Sequence, residues 1–184
     1  GLALSMTEMF PDYQLGWKVL GAVYGQMGRH LEAEEVNQQA IVLVPEDAEV
    51  HNNLGVTLHE LSRLEEAEAS YRRAIALKSD YPAAHNNLGT VLRKRAQLGE
   101  SESSFRRAIQ LKPDYAEAHN NLGNVFQELG KLDDSEIFFM RAIEIKPDYA
   151  EAHYNLGIML QKLGKTDEAE AGFRQAISLK PDYA

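Results

Sequence analysis

His85-Asn86-Asn87-Leu88-Gly89 returns 34 residues later as His119-Asn120-Asn121-Leu122-Gly123. It stands 34 residues earlier as His51-Asn52-Asn53-Leu54-Gly55, and 34 later again, with one change, as His153-Tyr154-Asn155-Leu156-Gly157. A fixed period of a few tens of residues marks a solenoid, in which no unit buries its apolar face alone and each stacks on its neighbours. The period therefore fixes the architecture before any single residue is interpreted.

Extending the register outward from Gln14 gives five units: Gln14–Asp47, Ala48–Tyr81, Pro82–Tyr115, Ala116–Tyr149 and Ala150–Tyr183, together one solenoid domain over residues 14–184. Apolar residues within each follow helical spacing, as in Leu54, Leu58 and Leu61, and predict a pair of antiparallel helices. Small residues at Gly55, Ala67 and Ala74 and their equivalents let the two helices approach, and the aromatics Tyr71, Phe105, Phe139 and Phe173 fill the remaining space. Pro113, Pro147 and Pro181 end the second helices. Asp114 and Asp148 read as N-caps of the following helices, with Glu117 and Glu151 at capping-box spacing.

Three departures interrupt the pattern: Asn37 where an aromatic belongs, Ser79 where the proline belongs, and Arg95-Ala96 where later units have Leu-Gly. Each reads as local loosening. Residues 1–13 read as the remnant of a truncated preceding repeat. The last helix is expected to present Phe173, Ala176 and Ile177 uncovered, which predicts head-to-tail self-association.

The first unit reads Trp17-x-x-Leu20-Gly21-x-x-Tyr24, then Ala33, Ala40 and Pro45. This resembles the tetratricopeptide repeat (TPR) signature, and the later units carry His in place of Trp17. The resemblance implies an all-α, right-handed superhelical solenoid of antiparallel helix pairs. It also implies a concave groove, lined by first helices, that binds proteins or peptides.

Composition narrows the function classes. Of 184 residues, 44% are apolar and 26% charged, a globular balance. A net charge of −9 with no basic stripe argues against nucleic acid. No apolar run is long enough for a membrane span, and no leader is visible. With zero cysteines there are no disulfides or thiolate metal sites, which fits a cytoplasmic protein.

No catalytic constellation or cofactor motif emerges. The periodic histidines lie one repeat apart, roughly 10 Å between equivalent helices, too far to share a zinc ion. They read as packing residues. The acidic pairs Glu65-Glu66, Asp133-Asp134 and Asp167-Glu168 open second helices and complement the helix dipole. Ser101, Ser103 and Ser104 have no nearby base in the sequence, and no phosphate-binding loop is present.

The asparagines call for another explanation. Asn53, Asn87, Asn121 and Asn155 occupy the sixth position of four consecutive units, within the first helix, where asparagine is a mediocre residue. Asn52, Asn86 and Asn120 precede three of them, and Asn124 follows one. Asn53, Val56 and Glu60 share a face at i, i+3 and i+7. A carboxamide both donates and accepts, so a row of them can pair with the backbone of an extended peptide whatever its side chains. The row resembles the asparagine ladder of O-GlcNAc transferase superhelices. The competing reading is that these amides bond water or the adjacent helix and merely keep the groove wet.

The resemblance to carboxylate-clamp TPR domains is weaker, because the matching positions hold Lys18, Ala22, Asn53, Ala83 and Asn87, without the clamp's later basic residues. The third unit nevertheless carries a net +3, and Arg93 and Lys94 stand near the expected rim as an anion contact. The sequence thus predicts a non-catalytic protein-interaction module without cofactor or metal. Two alternatives remain: the recruiting segment of a larger glycosyltransferase or sulfotransferase, and a self-assembling scaffold.

Overall fold

The computed structural model describes residues 5, 7, 9, 10 and 12–181. The reading of residues 1–13 as a repeat remnant falls largely outside these, as do Asp182, Tyr183 and Ala184. From Gln14 onward the described chain is a series of helix pairs: α1 (Gln14–Gln26) and α2 (His30–Leu43), α3 (Ala48–Glu60) and α4 (Leu64–Leu77), α5 (Pro82–Lys94) and α6 (Leu98–Leu111), α7 (Ala116–Glu128) and α8 (Leu132–Ile145), α9 (Ala150–Lys162) and α10 (Thr166–Leu179). No strand occurs among the described residues. This is an all-α helical repeat solenoid. The chain forms two compact units, one ending at Arg95 with α1–α5 and one starting at Ala96 with α6–α10. Within each, consecutive helices pack on one another, and first helices also touch the next first helix, α1 on α3 and α3 on α5 in one unit, α7 on α9 in the other.

The Leu-Gly pair shows why the helices fit. A Cβ added at Gly55 would lie 2.6 Å from the Tyr71 ring, and one at Gly123 would lie 2.7 Å from the Phe139 ring. Glycine is required at these positions because the aromatic of the second helix rests directly on the first helix's backbone. In the first unit Tyr71 is buried with Leu58, Leu88, Val91 and Leu92. In the second, Phe105 packs with Leu122, Val125 and Phe126, and Phe139 with Met159 and Leu160. Truncating such a ring typically costs about 3–5 kcal/mol.

The periodic histidines close the turn between repeats. Nε2 of His51, His85, His119 and His153 donates to the carbonyl oxygen of Pro45, Ser79, Pro113 and Pro147, at 2.9, 3.0, 3.0 and 2.9 Å. Each ties the start of a first helix to the loop before it.

Several local expectations are corrected. Asp114 and Asp148 are not caps: α7 and α9 begin one residue later, behind Tyr115 and Tyr149, which make no side-chain cap. The equivalent position before the second repeat holds Asp47, and there the carboxylate accepts from the N–H of Glu49 and Val50, at 2.9 and 3.4 Å. Ser79 loosens nothing, since Lys78 before it has φ −142° and ψ 92°, nearly the −139° and 89° of Lys112 before Pro113. At Arg95-Ala96 the helix keeps its length. Ala96 instead adopts φ +58°, beside Ser62 at +60°, in the place where Gly28, Gly130 and Gly164 lie between +72° and +74°. Nor is Asn37 a slack point, because it is 1% exposed. The last helix also departs from expectation: Ala176 is fully buried and Phe173 half-buried, so Ile177 alone of the three is exposed.

Candidate functional site

The repeated His-Asn-Asn-Leu-Gly stretch places two asparagines side by side on each first helix, and the structure gives them different environments. The first of each pair is buried: Asn52 is 6%, Asn86 8% and Asn120 0% exposed. The second, at Asn53, Asn87, Asn121 and Asn155, is half-buried, as is Asn124 one turn on. Successive helical positions point about 100° apart, which separates a pair into one residue facing the neighbouring helix and one nearer the open face.

The two kinds are linked across repeats. Asn87 Nδ2 donates to Asn52 Oδ1 at 3.1 Å in the first unit, and Asn155 Nδ2 donates to Asn120 Oδ1 at 3.0 Å in the second. Asn120 in turn donates through Nδ2 to Glu151 Oε1 at 3.2 Å. Asn52 and Asn120 therefore act as bridges between first helices and are withdrawn from the open face. Asn87 and Asn155 spend a donor on the bridge, which fixes the orientation of their amides. Asn53 makes no such bridge.

In the first unit this face contains a pocket of about 380 Å³ between α1, α2 and α3. Asn53, Val56 and Glu60, grouped by helical spacing in the sequence, all line it, joined by Gly21, Asn37 and Thr57. The last three were not assigned a functional role from sequence. The readable signal was the missing aromatic at residue 37.

Arg93 and Lys94 lie in the last turn of α5, half-buried and exposed respectively. In the same repeat Arg95 pairs with Glu65 and Glu68, and Arg106 with Glu102 at 2.8 Å. Lys94 is close enough to act on His59, which is held below the ordinary histidine value first by burial and then by that ammonium, against the pull of Glu60. His119 is likewise held low by burial, with Arg141 adding to the effect and the Pro113 carbonyl opposing it. Among the described residues no cluster of acidic and histidine side chains has metal-binding geometry, and no helix is long and apolar enough to cross a membrane.

The tetratricopeptide repeat pattern matches residues 80–148 and 114–182, more than half the chain, and related patterns match 37–69 and 57–95. The chain is a tetratricopeptide repeat protein. Solved TPR structures share its fold. PilW, a widely conserved type IV pilus biogenesis factor, superposes with a TM-score of 0.87 at 23% identity, over 99% of this chain and 84% of its own. A thermophilic TPR protein of Thermus thermophilus gives 0.80 at 22%, over 93% of each chain. YrrB, described as a TPR protein with an unusual peptide-binding site, gives 0.72 at 21%, over 100% and 94%. No curated protein sequence matches the chain. As in TPR proteins generally, the fold is that of a protein-interaction module.

Proposed function

We propose that this TPR protein binds an extended peptide or protein segment along the open face of its first helices, gripping the backbone through Asn53, Asn87, Asn121 and Asn155, with Asn124 beside them. The observation that carries the reading is the division of labour within the asparagine pairs. A buried partner holds Asn87, and another holds Asn155, by an amide–amide bond. An amide oriented in advance pays less entropy when it meets a ligand. Each has spent only a donor on that bond, and its carbonyl oxygen can accept from a peptide N–H.

Asn52, Asn86 and Asn120 serve this reading as supports. Arg93 and Lys94 supply an anion contact at the end of α5 that steers acidic segments in. No residue is assigned a catalytic role, and the activity is binding.

The reading is tested with a peptide selected from a random display library against this chain, remade with single backbone N-methyl groups. Removing a backbone N–H that meets an asparagine should weaken binding by about five- to tenfold at that position. Alanine replacement of most ligand side chains should matter less. Affinity governed by side chains alone, and indifferent to every N-methyl group, would contradict the proposal.

A further inference from the structure

In the repeats whose second helix carries Tyr71, Phe139 or Phe173, the ring covers the glycine of the preceding helix. Residue 37 carries no ring. An asparagine there rests its Oδ1 on Gly21 in the ring's stead, and Asn37 and Gly21 both line the pocket of about 380 Å³.

The hydrogen bonds fix how that asparagine is turned. Thr57 Oγ1 donates to the Asn53 carbonyl at 3.0 Å, so toward Asn37 it can only accept. Asn37 Nδ2 donates to it at 3.3 Å. The carbonyl oxygen Oδ1 must then point the other way, toward Gly21, where it lies 2.5 Å from the position of a Cβ. It is buried and has no hydrogen-bond partner among the described residues. His30 Nδ1, on the same pocket, is buried in the same condition. Glu60, exposed, brings a carboxylate to the wall.

We infer that this pocket receives one basic side chain of the bound segment, with arginine preferred. The inference deepens the peptide-binding proposal and rests on it. A buried acceptor asks for a donor, so an alkyl side chain leaves Asn37 Oδ1 unpaired. Glu60 repels an acidic side chain and attracts a cation. A guanidinium presents several donors in a planar fork and reaches separate acceptors at once, where an ammonium is a single point. Gly25, where an added Cβ would meet nothing within 4 Å, leaves the α1 side of the pocket open to a long side chain. The missing aromatic is thereby a specificity device: the array grips backbone along its asparagines and reads one residue at its first repeat.

The test uses the whole chain and glycine-flanked, end-blocked peptides carrying one central Arg, Lys, Gln, norleucine, Glu or Gly, followed by amide NMR. The Arg peptide should shift the resonances of Gly21, Gly25, Asn37 and Thr57 and bind about tenfold tighter than the norleucine or Glu peptides. Asn37→Phe, which restores the ring of the other repeats, should erase that preference and leave the fold intact. Glu60→Gln should reduce it severalfold and serves as the second variant should Asn37→Phe fold poorly. Equal affinity for the Arg and norleucine peptides, or a preference that survives Asn37→Phe, overturns the inference. The two proposals fail separately. If all peptides bind alike and Asn53→Ala weakens all of them, the backbone grip stands and the pocket does not. If the Arg peptide shifts only pocket resonances and Asn87→Ala is without effect, the pocket stands and the grip does not.

Discussion

A methyl group at Gly123 would occupy space already taken by the Phe139 ring, 2.7 Å from the added carbon. Neither neighbour can yield, because the ring is fully buried. Gly123→Ala should therefore destabilise the protein by about 1–3 kcal/mol despite alanine's better helix propensity, as measured by chemical unfolding. Glycine and aromatic recur with the same period, so this contact was readable from the sequence. The asparagine bridges were not. Asn52 and Asn87 are 35 residues apart, and only the packing of α3 on α5 reveals that they meet. Asn87→Ala should lower stability by about 1–2 kcal/mol, since it removes a bond and strands the buried Asn52 oxygen. Asn53→Ala breaks no such bridge and should leave stability unchanged or slightly higher. A thermal melt of the two variants side by side checks the distinction. It separates an open-face amide tied to a buried partner from one that is not, a difference that identical residue types in the sequence do not show.

Helix ends carry the next lesson. The turns after α3 and α5 place Ser62 and Ala96 at φ +60° and +58°, a conformation that costs a side-chain-bearing residue roughly 1–2 kcal/mol. Other repeats use glycine there. Ser62→Gly and Ala96→Gly should each stabilise the chain by about 0.5–1 kcal/mol, after the entropy glycine loses on folding, and raise the melting temperature. A fall in melting temperature would show that their side chains make contacts outweighing the strain. Helix existence was legible from the apolar spacing throughout, because burial of one helix face sets the pattern. Helix starts were less so: Asp114 and Asp148 offer cap chemistry, but the chain reaches helical geometry one residue later. Just before the second repeat the aspartate is itself in the cap position, and Asp47, which caps α3, also accepts from Gln14 Nε2 of α1 at 2.9 Å, tying the two first helices together. Asn37 was legible as a departure and not as a site. A lost ring announces a gap, yet only the hydrogen bond to Thr57 shows a polar wall there.

Across the whole chain, electrostatics should leave measurable traces. His59 and His119 both sit below the ordinary histidine value of 6.5, chiefly through burial. The unfolded chain then takes up protons that the fold resists, so their contribution is complete above that value and is lost as pH falls through it. The melting temperature should drop between about pH 7.5 and 5.5, and His119→Asn should flatten that slope. Reversing Arg93 and Lys94 to glutamate should slow association of an acidic peptide and weaken its salt dependence, with little change in dissociation. Association indifferent to both salt and reversal would reduce the pair to surface charge. The grip itself is tested most directly by titration calorimetry of a library-selected peptide against the chain with Asn53, Asn87, Asn121 and Asn155 all changed to alanine. At about 1 kcal/mol per backbone contact, the loss should reach roughly 4 kcal/mol, near a thousandfold in affinity, from a protein that remains helical and cooperative in melting. A folded quadruple variant that binds the peptide as tightly as the parent would contradict the account.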